Sequence, residues 1–124
     1  MITEEEKIKQ VISLDAMNKA IAVFMGAKID KDGRIHGLSR KGHYRASSLN
    51  YHSSWVALLP VLYKIISLGS YSYELGSMNN TDYHFVAIAD VKHQNKKQLV
   101  FIPSRDSLIT IAHQAVYKFI AEHF

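Results

Sequence analysis

Residues 84–89 read HFVAIA, and residues 99–102 read LVFI. Both runs are apolar at consecutive positions, which is typical of β-strands that are covered on both faces. Residues 71–75 instead alternate tyrosine or leucine with serine and glutamate, which is typical of a half-exposed strand. Polar pairs at residues 79–80 and 94–95 separate the three segments as turns. The sequence therefore predicts a mainly antiparallel sheet with helices packed on it.

Two helices are predicted around these strands. The first begins at Ser53 or Ser54 and ends at Gly69. Its predicted core stripe includes Trp55, which we expect to be buried, and Pro60 predicts a bend or an irregular first turn. The complete stripe is Trp55, Leu58, Leu59, Leu62, Ile65 and Ile66. Pro103 is expected to end the last strand, and Ser104 or Ser107 then caps a helix with Leu108, Ile111, Ala112, Ala115, Phe119 and Ile120 on one side.

The N-terminal part predicts a helix followed by a hairpin. Thr3 and Glu6 form a capping box at the start of the chain. The apolar stripe of residues 14–25 stops before Gly26, and a fresh helix start at Ser13 is favoured over one continuous helix. Asp32-Gly33 predicts a tight turn between two short strands, and residues 37–50 are expected to be a loop.

These elements predict an α+β fold with the order α-β-β-α-β-β-β-α. We expect a helix–sheet–helix sandwich in one domain, residues 1–124, with residues 1–12 either part of it or a separate N-terminal helical extension. The 124 residues, 48% hydrophobic and 21% charged, are ordinary for a single globular domain.

Composition also limits the location and the partners of the protein. Cysteine is absent, which excludes disulfides and thiolate sites. The chain opens with acidic residues rather than a basic and then apolar leader, and no apolar run has the ~20 residues of a membrane span. We therefore expect a cytoplasmic protein without a membrane partner.

No residue pattern indicates catalysis. Seven histidines are scattered without ligand spacing, so we expect them on surfaces and loops and predict no metal and no cofactor. Ser53 beside His52 is better explained as a helix cap than as a nucleophile. No catalytic residue is assigned.

Basic residues concentrate in two segments, 31–45 and 92–97. The first segment carries a charge of +4, which equals the net charge of the chain. Such loops with interleaved aromatic residues are typical either of solvated connections or of nucleic-acid contacts. We expect any partner surface to include this segment and the residues that follow it: Arg40, Lys41, Tyr44, Arg45, Tyr51 and His52.

The segment 51–55, YHSSW, resembles small proteins of the phage ABA sandwich domain family, which phages and prophages encode. The chain differs from the family pattern at two positions of the second helix, where similar proteins often have acidic residues and this chain has Val56 and Lys64. The basic segment 31–45 has no counterpart either. The resemblance implies a helix–sheet–helix sandwich and a phage or prophage origin, and it implies no catalytic residues. It extends over Leu58-Leu59-Pro60-Val61, Lys64-Ile65, Ile21-Ala22, Met25-Gly26, Ile111-Ala112, Ala115-Val116 and Phe119-Ile120.

Three hypotheses follow for the function. The first is a non-enzymatic accessory binding module with a protein partner. The second is a nucleic-acid-binding protein that uses the basic loops 31–45 and 92–97. The third is a small enzyme whose fold brings together a histidine, serine and aspartate site.

Overall fold

The computed structural model describes residues 13–38, 48–78, 81–92 and 96–124, and the backbone of residues 43–44. The chain divides into two compact units, Met1–Leu49 and Asn50–Phe124. The predicted α+β class and its antiparallel pairing are confirmed, and the predicted elements occur in the predicted order, with one additional short strand in the first unit. The capping box at Thr3 and the proposed extension 1–12 lie outside the described residues.

The described residues of the first unit form a helix and a small antiparallel sheet. Helix α1 spans Leu14–Phe24, and the Ser13 hydroxyl accepts a hydrogen bond from the Ala16 amide at 3.1 Å, as the predicted helix start requires. Strands β1 (Lys28–Ile29) and β2 (Ile35–His36) pair as the predicted hairpin. A third strand, β3 (His43–Tyr44), pairs with β2 where the sequence predicts a loop.

Asp30 organises the hairpin turn. Its Oδ1 atom accepts hydrogen bonds from the amides of Asp32 and Arg34, each at 2.9 Å. Its Oδ2 atom lies 2.7 Å from His36 Nε2. Gly33 has a φ of +80°, which a residue without Cβ adopts at little cost. The Asp-Gly signal therefore identified the turn correctly.

The second unit is built on a three-stranded antiparallel sheet. Strands β4 (Tyr71–Ser77), β5 (His84–Asp90) and β6 (Lys97–Ser104) lie in the order β4-β5-β6. In register, Glu74 lies opposite Ala87, and Ala87 lies opposite Phe101. A bulge interrupts the β5–β6 ladder between Ile88 and Ala89.

The helices of this unit cover one face of the sheet. Helix α2 (Trp55–Ser67) packs along β4, helix α3 (Leu108–His123) packs along β5 and β6, and the two helices contact each other. The Phe119 ring of α3 meets the Tyr71 ring edge-on, with centroids 4.9 Å apart. Val86 and Ile88 on the covered face are fully buried. The helical cover that was predicted for both faces is thus found on this face. Among the described residues of this unit, no helix packs on the opposite face.

Strand β6 continues through Pro103, which was expected to end it. Pro103 pairs in register with Phe85. Proline has no amide to donate, so it is tolerated in an outer strand, where one side of the backbone needs no partner within the sheet. Helix α3 then begins after Ser107, whose hydroxyl accepts from the Thr110 amide at 3.4 Å.

Helix α2 presents a different face to the core from the predicted stripe. Its buried residues are Leu58, Val61, Leu62 and Ile65. Trp55 is half-buried rather than fully buried, so the prediction of a core tryptophan is met only in part, as fits the first residue of a helix. The helix continues through Pro60 from Trp55 to Ser67, so the alternative of a first turn that is not α-helical is wrong, and the alternative of a bend stays a prediction.

Candidate functional site

The face of the β4-β5-β6 sheet opposite helices α2 and α3 carries a small cluster of aromatic and alanine side chains. Because side chains alternate across a strand, Phe85 and Ala87 lie opposite to the buried Val86 and Ile88. Phe101 on β6 is 41% exposed. Eight residues line a groove here, and we call this surface the open sheet face: Ser72, Glu74, Phe85, Ala87, Ala89, Lys96, Gln98 and Phe101.

Two phenylalanines form one wall of the groove. The Phe85 and Phe101 ring centroids are 5.9 Å apart, with the rings tilted by 32°. The Phe85 ring lies directly on the backbone of Gly76 in β4. A Cβ at residue 76 would stand 2.8 Å from Phe85 Cε1, closer than van der Waals contact allows. Gly76 therefore allows Phe85 to lie flat, and the glycine sets the shape of the face.

An ion pair crosses the other end of the open sheet face. Lys96 Nζ lies 2.8 Å from Glu74 Oε1, and both side chains are more than half exposed. The two groups cancel each other's charge among the eight lining residues. The face is thus an apolar surface with a compensated charge pair at its rim, an arrangement common in protein contacts.

The groove is too small for an ordinary substrate. Its volume is about 70 Å³, whereas small-molecule sites usually enclose roughly 300–1,000 Å³. It has room for the end of one protein side chain. The geometry therefore favours a contact surface over a substrate pocket.

A second exposed apolar surface lies on helix α2. Its members are spaced at three, four and three residues, which places them on one side of a helix. We call them the helical stripe, and their side chains are exposed as follows: Val56 86%, Leu59 46%, Tyr63 76% and Ile66 42%.

Two histidines approach each other beside the core of the second unit. His113 in α3 is only 1% exposed. Its ring centroid lies 5.9 Å from that of His52, edge to face. Burial, and secondly the neighbouring His52, lower the pKa of His113 to about 4. The expectation that all histidines lie on surfaces and loops is therefore wrong for His113, and a neutral, enclosed imidazole is unsuited to contact a substrate.

The residues predicted to bind a partner are distributed as follows. Arg40, Lys41 and Arg45 lie outside the described residues, and Tyr44 contributes backbone to β3. Tyr51 is buried, which raises the pKa of its hydroxyl, and His52 is half-buried. Their role in partner binding stays a prediction.

Sequence reasoning missed both exposed surfaces. A signal for the open sheet face was present, because Gly76 interrupts an otherwise regular strand pattern and such a glycine often marks a close approach. The sequence signal for the helical stripe was weaker. Because α2 is apolar on all sides, its sequence does not show which apolar residues are exposed.

Among the described residues, no group of three or more histidine, aspartate or glutamate side chains is arranged to hold a metal ion. Within that same part of the chain, no helix combines the length and the apolar character needed to cross a bilayer.

Comparison with known proteins gave no relative: no family model, no curated protein and no solved structure matches the chain. The resemblance to the phage ABA sandwich domain family therefore stays a prediction.

Proposed function

We propose that this chain is a non-enzymatic accessory binding module that contacts a protein partner through the open sheet face. The observation that carries the proposal is the exposed Phe101 ring, held beside Phe85 on a sheet face that the helices of its unit leave uncovered. Aromatic side chains of this kind are common anchors in protein interfaces.

The charges of the face support a protein partner over a nucleic acid. Lys96 is paired with Glu74, so the lining residues carry no net positive charge. Nucleic-acid binding draws most of its affinity from uncompensated basic groups that neutralise phosphates. The basic loops remain the basis of that alternative, and the experiment below separates the two.

A phage or prophage origin and a cytoplasmic location in the bacterial host are parts of the proposal. The origin is supported by the resemblance of residues 51–55 and the segments that follow them. The location is supported by the cysteine-free composition, which suits a reducing compartment.

Site-specific photo-crosslinking in the bacterial host tests the proposal. A photoreactive phenylalanine analogue replaces Gln98, an exposed lining residue of the groove. The matched control carries the same analogue at Lys118, an exposed position on α3. We expect the probe at position 98 to capture one discrete protein, and the probe at position 118 to capture none above background.

A second variant checks that the capture depends on the apolar face. Phe101→Ser in the probe-bearing chain should abolish the crosslink, because it removes the exposed ring while leaving the buried face untouched. Equal capture from both probe positions contradicts the proposal. A nuclease-sensitive product from position 98 instead supports the nucleic-acid alternative.

A further inference from the structure

Helix α2 has apolar side chains on two opposite sides. One side, with Leu58, Leu62 and Ile65, is fully buried in the second unit. The other side is the helical stripe, with Val56 and Tyr63 almost entirely in water. A helix that is apolar all round is typical of one enclosed on all sides.

The stripe lacks the features of an ordinary solvated surface. Lys64 is the single charged residue in the thirteen residues of α2, and it does not belong to the stripe. The four stripe side chains expose roughly 400–500 Å² of apolar surface, close to the largest apolar patch on a typical monomer, and such patches often mark contact sites.

The spacing of the stripe is symmetric about Val61. Val56 and Ile66 lie five residues to either side of this centre, and Leu59 and Tyr63 lie two residues to either side. When a helix packs against its own copy in the antiparallel direction, residues at equal distances from the two-fold axis meet. A stripe with this symmetry is therefore complementary to itself, which is the requirement of a two-fold interface.

We propose that the helical stripe is the interface of a homodimer, in which α2 packs antiparallel against α2 of a second copy. Val56 then contacts the partner's Ile66, and Leu59 contacts the partner's Tyr63. The two helix dipoles run in opposite directions, which is a favourable arrangement. The stripe itself has no charged residue that would need a counterpart in the interface. The interface goes beyond the proposed function because it uses a different surface from the open sheet face.

The area fits a second copy at moderate affinity. Two stripes with their flanking atoms bury roughly 1,000 Å² in total, which is near the lower bound of specific interfaces. Because interfaces at this end of the size range are typically weak or transient, we expect a dimer that forms in a concentration-dependent manner.

Sedimentation equilibrium of the full chain over roughly 1–300 µM tests the association. We expect a monomer–dimer equilibrium for the parent. For Leu59→Glu we expect the dissociation constant to rise about tenfold or more, because a buried uncompensated charge opposes association. Phe101→Glu is the matched control on the open sheet face and should leave the equilibrium unchanged. Urea midpoints of all three proteins check that the variants are folded.

Crosslinking tests the antiparallel geometry, because the natural chain has no cysteine. Val56 and Ile66 are about 15 Å apart along the helix, so each lies near the partner's other residue and far from its own counterpart. A mixture of Val56→Cys and Ile66→Cys chains should crosslink with a short bismaleimide into a heterodimer, whereas each variant alone should not.

Any of three results overturns the proposal. One is a parent chain that stays monomeric over the whole concentration range. Another is a dimer that Phe101→Glu dissociates and Leu59→Glu does not, which places the contact on the open sheet face. The third is crosslinking of Val56→Cys to itself, which contradicts the antiparallel arrangement.

Discussion

Acidification is expected to destabilise the Asn50–Phe124 unit by protonating His113. The imidazole lies on the buried side of α3 and is 1% exposed, so its charged form would lose nearly all contact with water. His52 is the titratable ring that contacts it, and a second positive charge there opposes protonation further. Folding therefore favours the neutral form.

The magnitude follows from the pKa of His113 in the two states. It is about 4 in the folded protein, and about 6.5 in an unfolded chain. Between these pH values the unfolded chain binds more protons, so the free energy of unfolding falls as the pH falls. The contribution is fully present above about pH 6.5 and is lost by about pH 4, which amounts to about 3 kcal/mol.

A carboxylate titrates in a separate window. The hydrogen bond with His36, and then the amide of Arg34, lower the pKa of Asp30 below its ordinary value of 3.8. Stability from this ionised carboxylate is present above that value and is lost as the pH falls through the lower folded pKa. A stability loss between pH 6.5 and 4 is therefore not caused by Asp30.

Urea unfolding at half-unit pH steps, followed by the fluorescence of Trp55, measures the effect. The free energy of unfolding should change by about 1.4 kcal/mol per pH unit near pH 5, as one proton requires. His113→Leu should flatten this dependence because the group that titrates is gone. His123→Gln, at the exposed end of the same helix, is the control and should retain it.

The reasoning fails if the parent's free energy of unfolding stays constant within about 0.5 kcal/mol between pH 6.5 and 4.5. It also fails if the His113→Leu variant keeps the parental slope. In either case the burial of the imidazole does not determine its protonation.

Three further predictions concern stability and can be measured by urea unfolding at pH 7.5. Gly76→Ala should cost about 1–3 kcal/mol because its Cβ meets the Phe85 ring, and the cost should shrink when Phe85→Ala accompanies it; an unchanged cost in the double variant would show that the ring is not responsible. Ser54→Ala should cost about 1 kcal/mol, since the hydroxyl accepts from the Ala57 amide at 3.3 Å, and Ser54→Asn should restore most of it. Trp55→Ala should cost less than the ~3–5 kcal/mol of a core aromatic because the side chain is half-buried, and a larger loss would refute that placement.

Features with a local cause could be predicted from the sequence. The caps Ser13 and Ser107 each satisfy an amide three residues ahead, so neighbouring residues contain the whole signal. The Asp-Gly turn likewise depends on the φ of Gly33 and on hydrogen bonds to Asp30 within four residues. Tertiary contacts were not needed to recognise them.

Features that depend on distant partners could not be predicted in the same way. Pro103 is acceptable in β6 because that strand is an outer one, and the strand order follows from long-range pairing. The two residues of β3 are too few to show a period. His113 is buried because α3 packs against the sheet, while histidine itself has no strong preference for the core.

Helix α2 shows that a sequence pattern can identify a helix without identifying the side that faces the core. Periodicity identified the helix because apolar residues recur every three or four positions. Leu58, Leu62 and Leu59 all fit such a period, yet the first two are buried and Leu59 is exposed. When both sides of a helix are apolar, the choice of the buried side depends on the shape of the core.

The Lys96–Glu74 ion pair joins β4 to the residue that precedes β6, across the central strand β5. The Lys96 and Glu74 side chains can meet above β5 because the residues of that strand between them, Ala87 and Ala89, are small. Both charged groups are exposed, so added salt weakens their attraction. At higher ionic strength we therefore expect the ion pair at the rim of the groove to loosen, and a partner that inserts an apolar side chain to gain affinity. Binding to a nucleic acid changes in the opposite direction, so the sign of the salt dependence identifies the kind of partner that occupies the face.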